Sequence, residues 1–447
     1  MTDVLAARSQ MAMSLAFHII FAVVGIGMPA LMVLAERRWH TTGDPLYLEL
    51  AKRWAKGTAI LFAVGAVSGT VLSFELNLLW PEFMKYAGAI IGMPFSLEGF
   101  AFFTEAIFLG LYLYGWDRIS RRAHLASGLM VAASGAVSGI FVVIANAWMN
   151  TPRGFRLDQG IPVDVHPFQA MMTPAAFPEA LHMTLAAYAA TGMAVAGIHT
   201  FLYLRDRTNA FHHRAIGVAL LIGAPAAVLQ PISGDISGRY VAHWQPTKLA
   251  ALEGQFETER GAPLRIGGIP NEATRTTPYS IDIPYALSFM AFHDIHAEVR
   301  GLNDVPRDLW PPVRIVHLAF QLMVGLGTAL ALIALAALWY IVRRQDVTTH
   351  PWLLRAIVVA APFGFLCIEA GWTVTEVGRQ PWIVYGLMRT ADAVTPMPGL
   401  IVPFITFTLL YFLLGVIVVY LLLQQVIRSP RIREGTTGAR IRAAATP

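Results

Sequence analysis

The chain has 447 residues, 56% of them hydrophobic and 14% charged, with a mean hydropathy of +0.55. A soluble globular chain carries about 25% charged residues, so this composition excludes a soluble domain; apolar runs of about twenty residues, instead of short alternating segments, also exclude a transmembrane barrel. The basic balance, net +5, falls in short clusters between apolar runs and not on one face, which speaks against a nucleic-acid partner, and a single Cys367 excludes an intrachain disulfide.

Nine apolar runs predict nine transmembrane helices in an all-α membrane protein: 11–35, 54–78, 94–116, 125–148, 178–203, 216–236, 313–342, 352–375 and 400–426. Alternate connections carry the basic residues: Arg37, Arg38, Lys52, Arg53 and Lys56, then Arg118, Arg121 and Arg122, then Arg205, Arg207 and Arg214, then Arg343, Arg344 and Arg355. By the positive-inside rule those connections are cytoplasmic, which puts the amino terminus outside and the carboxyl terminus inside. The first run lacks a basic flank and reaches membrane length, so no cleaved signal peptide is expected. The organisation expected is helices one to six in 1–236, a long polar extracytoplasmic segment at 237–312, helices seven to nine in 313–427, and a cytoplasmic tail at 428–447. A segment as long as 237–312 within a compact domain is expected to be functional.

Several polar residues fall inside the apolar runs, where such residues usually mark function. His18 lies in span one and His182 at the start of span five. Glu98 and Glu105 are seven residues apart in span three, hence on one helical face, with Asp117 at the expected cytoplasmic end. Met323 lies in span seven, and Glu369 and Glu376 share a face of span eight. Haem iron takes axial His or Met, and a closed His/Met pair suits electron transfer, whereas an oxygen-binding iron keeps one position open. His18, Glu98, His182, Met323 and Glu376 all fall in the outer half of the expected topology, as one redox cluster requires. The plainer alternatives are an interhelical hydrogen bond for a histidine, packing for a methionine, and a solvated helix for Lys248, Glu253 and Glu257.

The run Glu-Ala-Gly-Trp (369–372) followed by Gly-Arg-Gln-Pro-Trp (378–382) resembles subunit I of the cytochrome bd-type quinol oxidases. So do Phe17-His18, Gly-Trp-Asp-Arg (115–118), Ala-Asn-Ala-Trp-Met (145–149), Thr-Lys-Leu-Ala-Ala-Leu-Glu (247–253) and Ile-Pro-Tyr-Ala-Leu (283–287), in the family's order. The resemblance implies that His182 and Met323 ligate a low-spin haem b. It implies that His18 and Glu376 are the proximal ligands of two high-spin haems, one a haem b and the other a haem d or a third haem b, with Glu98 beside them. Arg379 is then the cation for a haem propionate or the ligand carboxylate, and Lys248 and Glu253 take part in quinol oxidation, which needs a proton acceptor near the membrane surface.

The activity so implied is quinol oxidation at the outer face of the bacterial inner membrane and reduction of dioxygen to water. Protons would come from the cytoplasm along Asp117 and Glu105, and a proton motive force would result. The implied partner is a second integral membrane subunit without haem, with room for a small accessory subunit. The short segment before span seven resembles the short-loop, cyanide-insensitive-type branch. Gln321 stands where better-known members carry an arginine, two residues before the ligand methionine; loss of that cation is expected to disfavour the reduced low-spin haem. Two rival readings are a haem b electron-transfer anchor, which needs paired histidines, and a proton-coupled transporter built on Glu75, Glu98, Glu105, Asp117 and Glu376, which would often show repeated halves.

Overall fold

The computed structural model describes residues 2–426, so the expected tail at 428–447 lies outside the described residues. Within them, nine membrane-length apolar helical stretches are present, as the hydropathy pattern predicts. They are α1 (Asp3–Thr42), α2 (Pro45–Leu79), α3 (Pro81–Tyr114), α4 (Arg121–Asn150), then, after a short hairpin β1 (Arg156–Asp158) and β2 (Ile161–Val163) and a turn of helix α5 (Pro167–Met171), α6 (Ala176–Arg205) and α7 (Ala210–Trp244). After the segment that follows α7 come α10 (Val313–Val342), the pair α11 (Pro351–Ala360) and α12 (Phe363–Gly378), and α14 (Ile401–Val426).

The helix ends follow local chemistry more than hydropathy. Asp44 caps α2 by accepting from Leu46 N–H, with Pro45 in the first turn, and Asn209 caps α7, as short polar side chains do for orphan N–H groups. Two expectations shift. Span six does not stop at 236; α7 runs through Pro225 and Pro231 and continues to Trp244, and Pro246 opens the next helix, α8. Span eight is broken at Ala361 and Pro362.

The three helices α1, α6 and α7 form the centre and bury half or more of their most apolar stretch, while α14 buries 11% of its own. Helices α6 and α7 approach closely: a Cβ on Gly192 would lie 2.4 Å from Gly223 Cα, so the seam requires glycine. The basic connections are tied together by Arg214 with Asp44 (3.0 Å) and His213 with Asp346 (2.8 Å). This is called the basic end below.

At the opposite end, the segment after α7 folds into a cap. It comprises α8 (Pro246–Glu253), β3 (Glu259–Arg260), β4 (Leu264–Gly267), β5 (Ser280–Ile283), α9 (Ala286–Phe292) and β6 (Glu298–Val299). β3 pairs antiparallel with β6, and β4 with β5 in the register Leu264 opposite Ile283. Ala250, Ala251, Leu252, Phe256, Leu302 and Trp310 pack with Val313 and Val316 of α10, so the cap has a core continuous with the bundle. A small hairpin, β7 (Trp382–Val384) with β8 (Met388–Arg389), leads through α13 (Thr390–Ala393) to α14 and is pinned by Tyr385 N–H to Met149 O, 2.9 Å, and Arg389 to Asp308, 2.7 Å.

Candidate redox site

The two histidines singled out by sequence sit on different helices and share one arrangement. His18 Nδ1 lies 2.9 Å from Ser68 Oγ, and that hydroxyl donates to Val64 O at 2.9 Å. A serine hydroxyl has one proton; with it directed at the carbonyl, the oxygen accepts from Nδ1–H, and Nε2 is left with its lone pair. His182 Nδ1 lies 2.9 Å from Ser233 Oγ, which donates to Gln230 O at 2.9 Å. Gln230 Nε2 lies 3.2 Å from His182 Nε2. Fixing one ring nitrogen through a hydrogen bond so that the other faces a metal is the usual preparation of a histidine ligand. His18 and Met323 each pack closely against a glycine that no larger residue could replace without a shift: a Cβ on Gly69 would lie 3.0 Å from His18 Cε1, and one on Gly371 would lie 2.9 Å from Met323 Sδ. Among the described residues no three His, Cys, Asp or Glu side chains converge on one point. Single, well-separated donors fit an iron that brings its own macrocycle better than a bare ion.

Glu376 lies in the last turn of α12. Asn146 Nδ2 donates to its Oε1 and Arg379 to its Oε2. Each carboxylate oxygen has a second lone pair, so these bonds leave capacity for iron. Arg379 is 1% exposed, and its Nε has no partner among the described residues; a propionate is the anion such a group fits. The hub of this region is Asn150, one turn from Asn146 on α4. Its Nδ2 donates to Glu179 Oε1 at 2.9 Å and Asn146 Oδ1 at 3.2 Å. Its Oδ1 faces Lys248 Nζ at 3.2 Å, Gln245 Nε2 at 3.2 Å and Arg379 Nη1 at 3.5 Å, more donors than two lone pairs hold at once. Lys248, Arg379, Glu179 and Glu376 thus form a charge-balanced cluster. Sequence reading missed Glu179, Asn146 as a Glu376 partner, and Asn150. The available signals were the Asn146/Asn150 spacing of one helical turn and the placement of Glu179 one turn before His182.

Lys248 is 4% exposed and Glu253 3%, so the solvated-helix alternative does not hold for them. Burial first, and then Arg379, push the Lys248 ammonium down to about 7, against the opposing pull of Glu179 and Glu376. Burial pushes the Glu253 carboxyl up to about 8, partly offset by Arg265. The two residues are five apart on α8, about 140° round the helix; Lys248 turns to Asn150 and Glu253 towards Arg265.

In α3, Glu98 accepts from Ser138 Oγ at 3.3 Å. Glu105 is buried, with Oε1 unpaired among the described residues, and faces Gly135 of α4, where a Cβ would lie 3.1 Å from the carboxylate. Asp117 is not on the same helix: α3 stops at Tyr114, and Asp117 lies exposed in the turn that follows. The buried polar groups towards the basic end are instead Tyr112, a further seven residues along α3, and His124, whose Nδ1 meets Glu36 Oε1 at 2.9 Å and whose Nε2 meets Tyr112 O at 2.9 Å. Glu75 accepts from Gln10 and Ser14, both at 2.9 Å, and stands apart from the α3 acids. Gln321, expected to matter through a missing charge, directs its amide at the backbone of β4, donating to Arg265 O and accepting from Gly267 N–H, both at 2.9 Å.

The family described as cytochrome bd terminal oxidase subunit I matches residues 6–430. The chain belongs to that family. It is 38% identical over 435 residues to a protein of Bacillus subtilis (strain 168) provisionally described as a cytochrome bd menaquinol oxidase subunit I, covering 96% of this chain and 98% of that one. It is 32% identical over 442 residues to the cytochrome bd ubiquinol oxidase subunit 1 of the same organism, covering 95% and 94%. The solved bd oxidase of Geobacillus thermodenitrificans contains a chain that superposes with a TM-score of 0.90 at 37% identity, covering 96% of this chain and 99% of that one. As a cytochrome bd oxidase subunit I, the chain is a haem-binding, multi-pass subunit of a respiratory quinol oxidase complex in the bacterial inner membrane.

Proposed function

We propose that this chain carries both the quinol-oxidising site and the haem ligands of its complex, oxidising quinol at the cap end, on the outer face, and reducing dioxygen to water with protons drawn from the basic, cytoplasmic end. The bound haems, a low-spin haem b, a high-spin haem b and a haem d or third haem b, supply electron transfer and the oxygen-reducing iron. His182 and Met323 would hold the low-spin group, and His18 and Glu376 would each hold one high-spin group. Arg379 neutralises a propionate and pairs with the Glu376 carboxylate. Glu253 and Lys248 take the two protons that quinol releases, since burial brings both into a range where they exchange protons near neutral pH. Glu98 and Glu105 hand protons towards the high-spin pair. A second integral membrane subunit, without haem, completes the complex, with a small accessory subunit where one is present.

The observation that carries this reading is the pair of histidines, each with Nδ1–H held by a serine, so that Nε2 carries the lone pair, which in His182 faces Gln230 Nε2. The test is an absorption spectrum of the purified complex together with quinol-driven oxygen uptake. Three haem signals and oxygen consumption are expected, with His18→Ala and His182→Ala each removing a different signal. Haem reduction by quinol without oxygen uptake would leave only the electron-transfer-anchor reading, and a haem-free complex would leave the transporter reading.

A further inference from the structure

We propose that His317 and Gln321 form a clamp that fixes the cap to the helix carrying Met323, and that Gln321 acts through the cap backbone instead of through a charge near the haem. This rests on the reading of the cap as the quinol site. The two residues are one turn apart on α10 and so share a face. Gln321 Nε2 donates to Arg265 O and its Oε1 accepts from Gly267 N–H, each at 2.9 Å. His317 is fully buried, with Nε2 2.9 Å from Gly267 O and Nδ1 2.7 Å from Leu252 O. Both facing atoms are acceptors, so the ring bridges two backbone carbonyls, one at each nitrogen. Four polar contacts from two side chains therefore reach two segments of the cap, the end of β4 and the last turn of α8.

The geometry is that of a strand neighbour. The C=O of one strand residue and the N–H two residues on project from the same edge, and a primary amide offers one donor and one acceptor to match them. Gln321 fills that role for Arg265 and Gly267. An arginine there has donors only and would leave Gly267 N–H unmatched, which gives the glutamine a purpose that the absent cation does not. Gly267 is held by both its N–H and its C=O, and its φ of +70° favours glycine.

The clamped atoms adjoin the proposed proton acceptors. Leu252 precedes Glu253, and Arg265 is the cation that bears on Glu253. Gln321 lies two residues before Met323. The clamp thus fixes the donor site relative to the helix that presents the first haem ligand, and His317 and Gln321 are positioning residues, not catalytic ones.

The test is Gln321→Met in the whole complex, which keeps side-chain length and removes both amide bonds. Four quantities are read: amide hydrogen exchange of peptides covering 252–268, quinol KM and kcat, oxygen uptake from an artificial donor, and the midpoint potential of the low-spin haem. Loss of two hydrogen bonds is expected to speed exchange at 264–268 about tenfold and raise quinol KM by about as much. Artificial-donor oxygen uptake and the potential are expected to stay as in the native complex. Gln321→Arg, which keeps one donor, is expected to give a smaller change in the same direction and carries the test should the methionine variant fail to assemble. Unchanged exchange overturns the clamp. A shifted potential with unchanged exchange returns Gln321 to haem tuning and also overturns it. Faster exchange with unaltered quinol kinetics overturns the cap as the quinol site while leaving the clamp standing.

Discussion

Met323 and leucine are close in volume, so Met323→Leu would remove the proposed sulfur ligand at a stability cost of less than about 1.5 kcal/mol. The expected result is loss or conversion of the low-spin haem signal with the other two retained; a native low-spin spectrum would take Met323 out of the ligand set. Glu253 gives a pH prediction. Burial holds its carboxyl neutral up to about 8, and it accepts a proton from quinol only as carboxylate, so quinol oxidation is expected to rise with pH through about 8. Glu253→Gln should remove that limb and lower quinol kcat/KM by about a hundredfold, with artificial-donor oxygen uptake retained; a variant that keeps the limb shows that another group titrates there. The candidate ligands could be read from sequence because haem iron accepts few residue types and these stand out inside apolar runs. The Asn150 hub could not, since its partners Glu179, Gln245 with Lys248, and Arg379 come from three separate parts of the chain and meet only on folding.

The membrane helices were legible because hydropathy reports burial in lipid, but their ends were not, because a helix continues past the apolar stretch until the backbone ladder is interrupted. The cap is the element least visible in sequence. It has no long periodic segment, and its order comes from short strand pairs and from the core it shares with α10. The packing of the cap also decides where a protease can cut. Residues 237–244 are helical, and Lys248 to Leu252 are buried. Tyr279 is 88% exposed, and Arg275 lies exposed in the turn where Asn271 and Thr276 bridge. Trypsin added at the cap side is expected to cut after Arg275 and not within α8, since exposed loop tips are nicked first. Quinol oxidation should then fall while artificial-donor oxygen uptake continues. Cleavage that leaves quinol oxidation intact argues against the cap, and cleavage that abolishes both activities means that the bundle itself was damaged.

At the scale of the whole molecule the question is where the protons for water come from. The four candidate iron ligands lie towards the cap end of their helices, and in the proposed reading quinol releases its protons at that same end. If the consumed protons also entered there, turnover would move electron charge over a short distance only. Entry from the basic end requires a route through the bundle, and a proton cannot rest in hydrocarbon, so buried polar groups must hold it on the way. The α3–α4 seam supplies them at intervals of seven residues, about 10 Å: Glu98 beside Ser138, Glu105 beside Gly135, and Tyr112 close to the Glu36–His124 pair. Asp117 lies at the surface beyond this line, where it can serve at most as an entry group. The gaps exceed one hydrogen bond, so water or the partner subunit must bridge them. Glu105 and Glu36 in this line each have a carboxylate oxygen without a partner among the described residues, and a side chain that must change protonation in turnover is poorly served by permanent partners. Glu105→Gln keeps size and hydrogen bonding but cannot carry a proton, so all three haem signals should persist while oxygen reduction slows by about tenfold or more. Vesicles holding the complex with its cap outward, with pH dyes on each side, report the direction. Alkalinisation of the interior during native turnover, suppressed in the variant, is the expected result. Proton uptake from the cap side, or full turnover in Glu105→Gln, would refute the route.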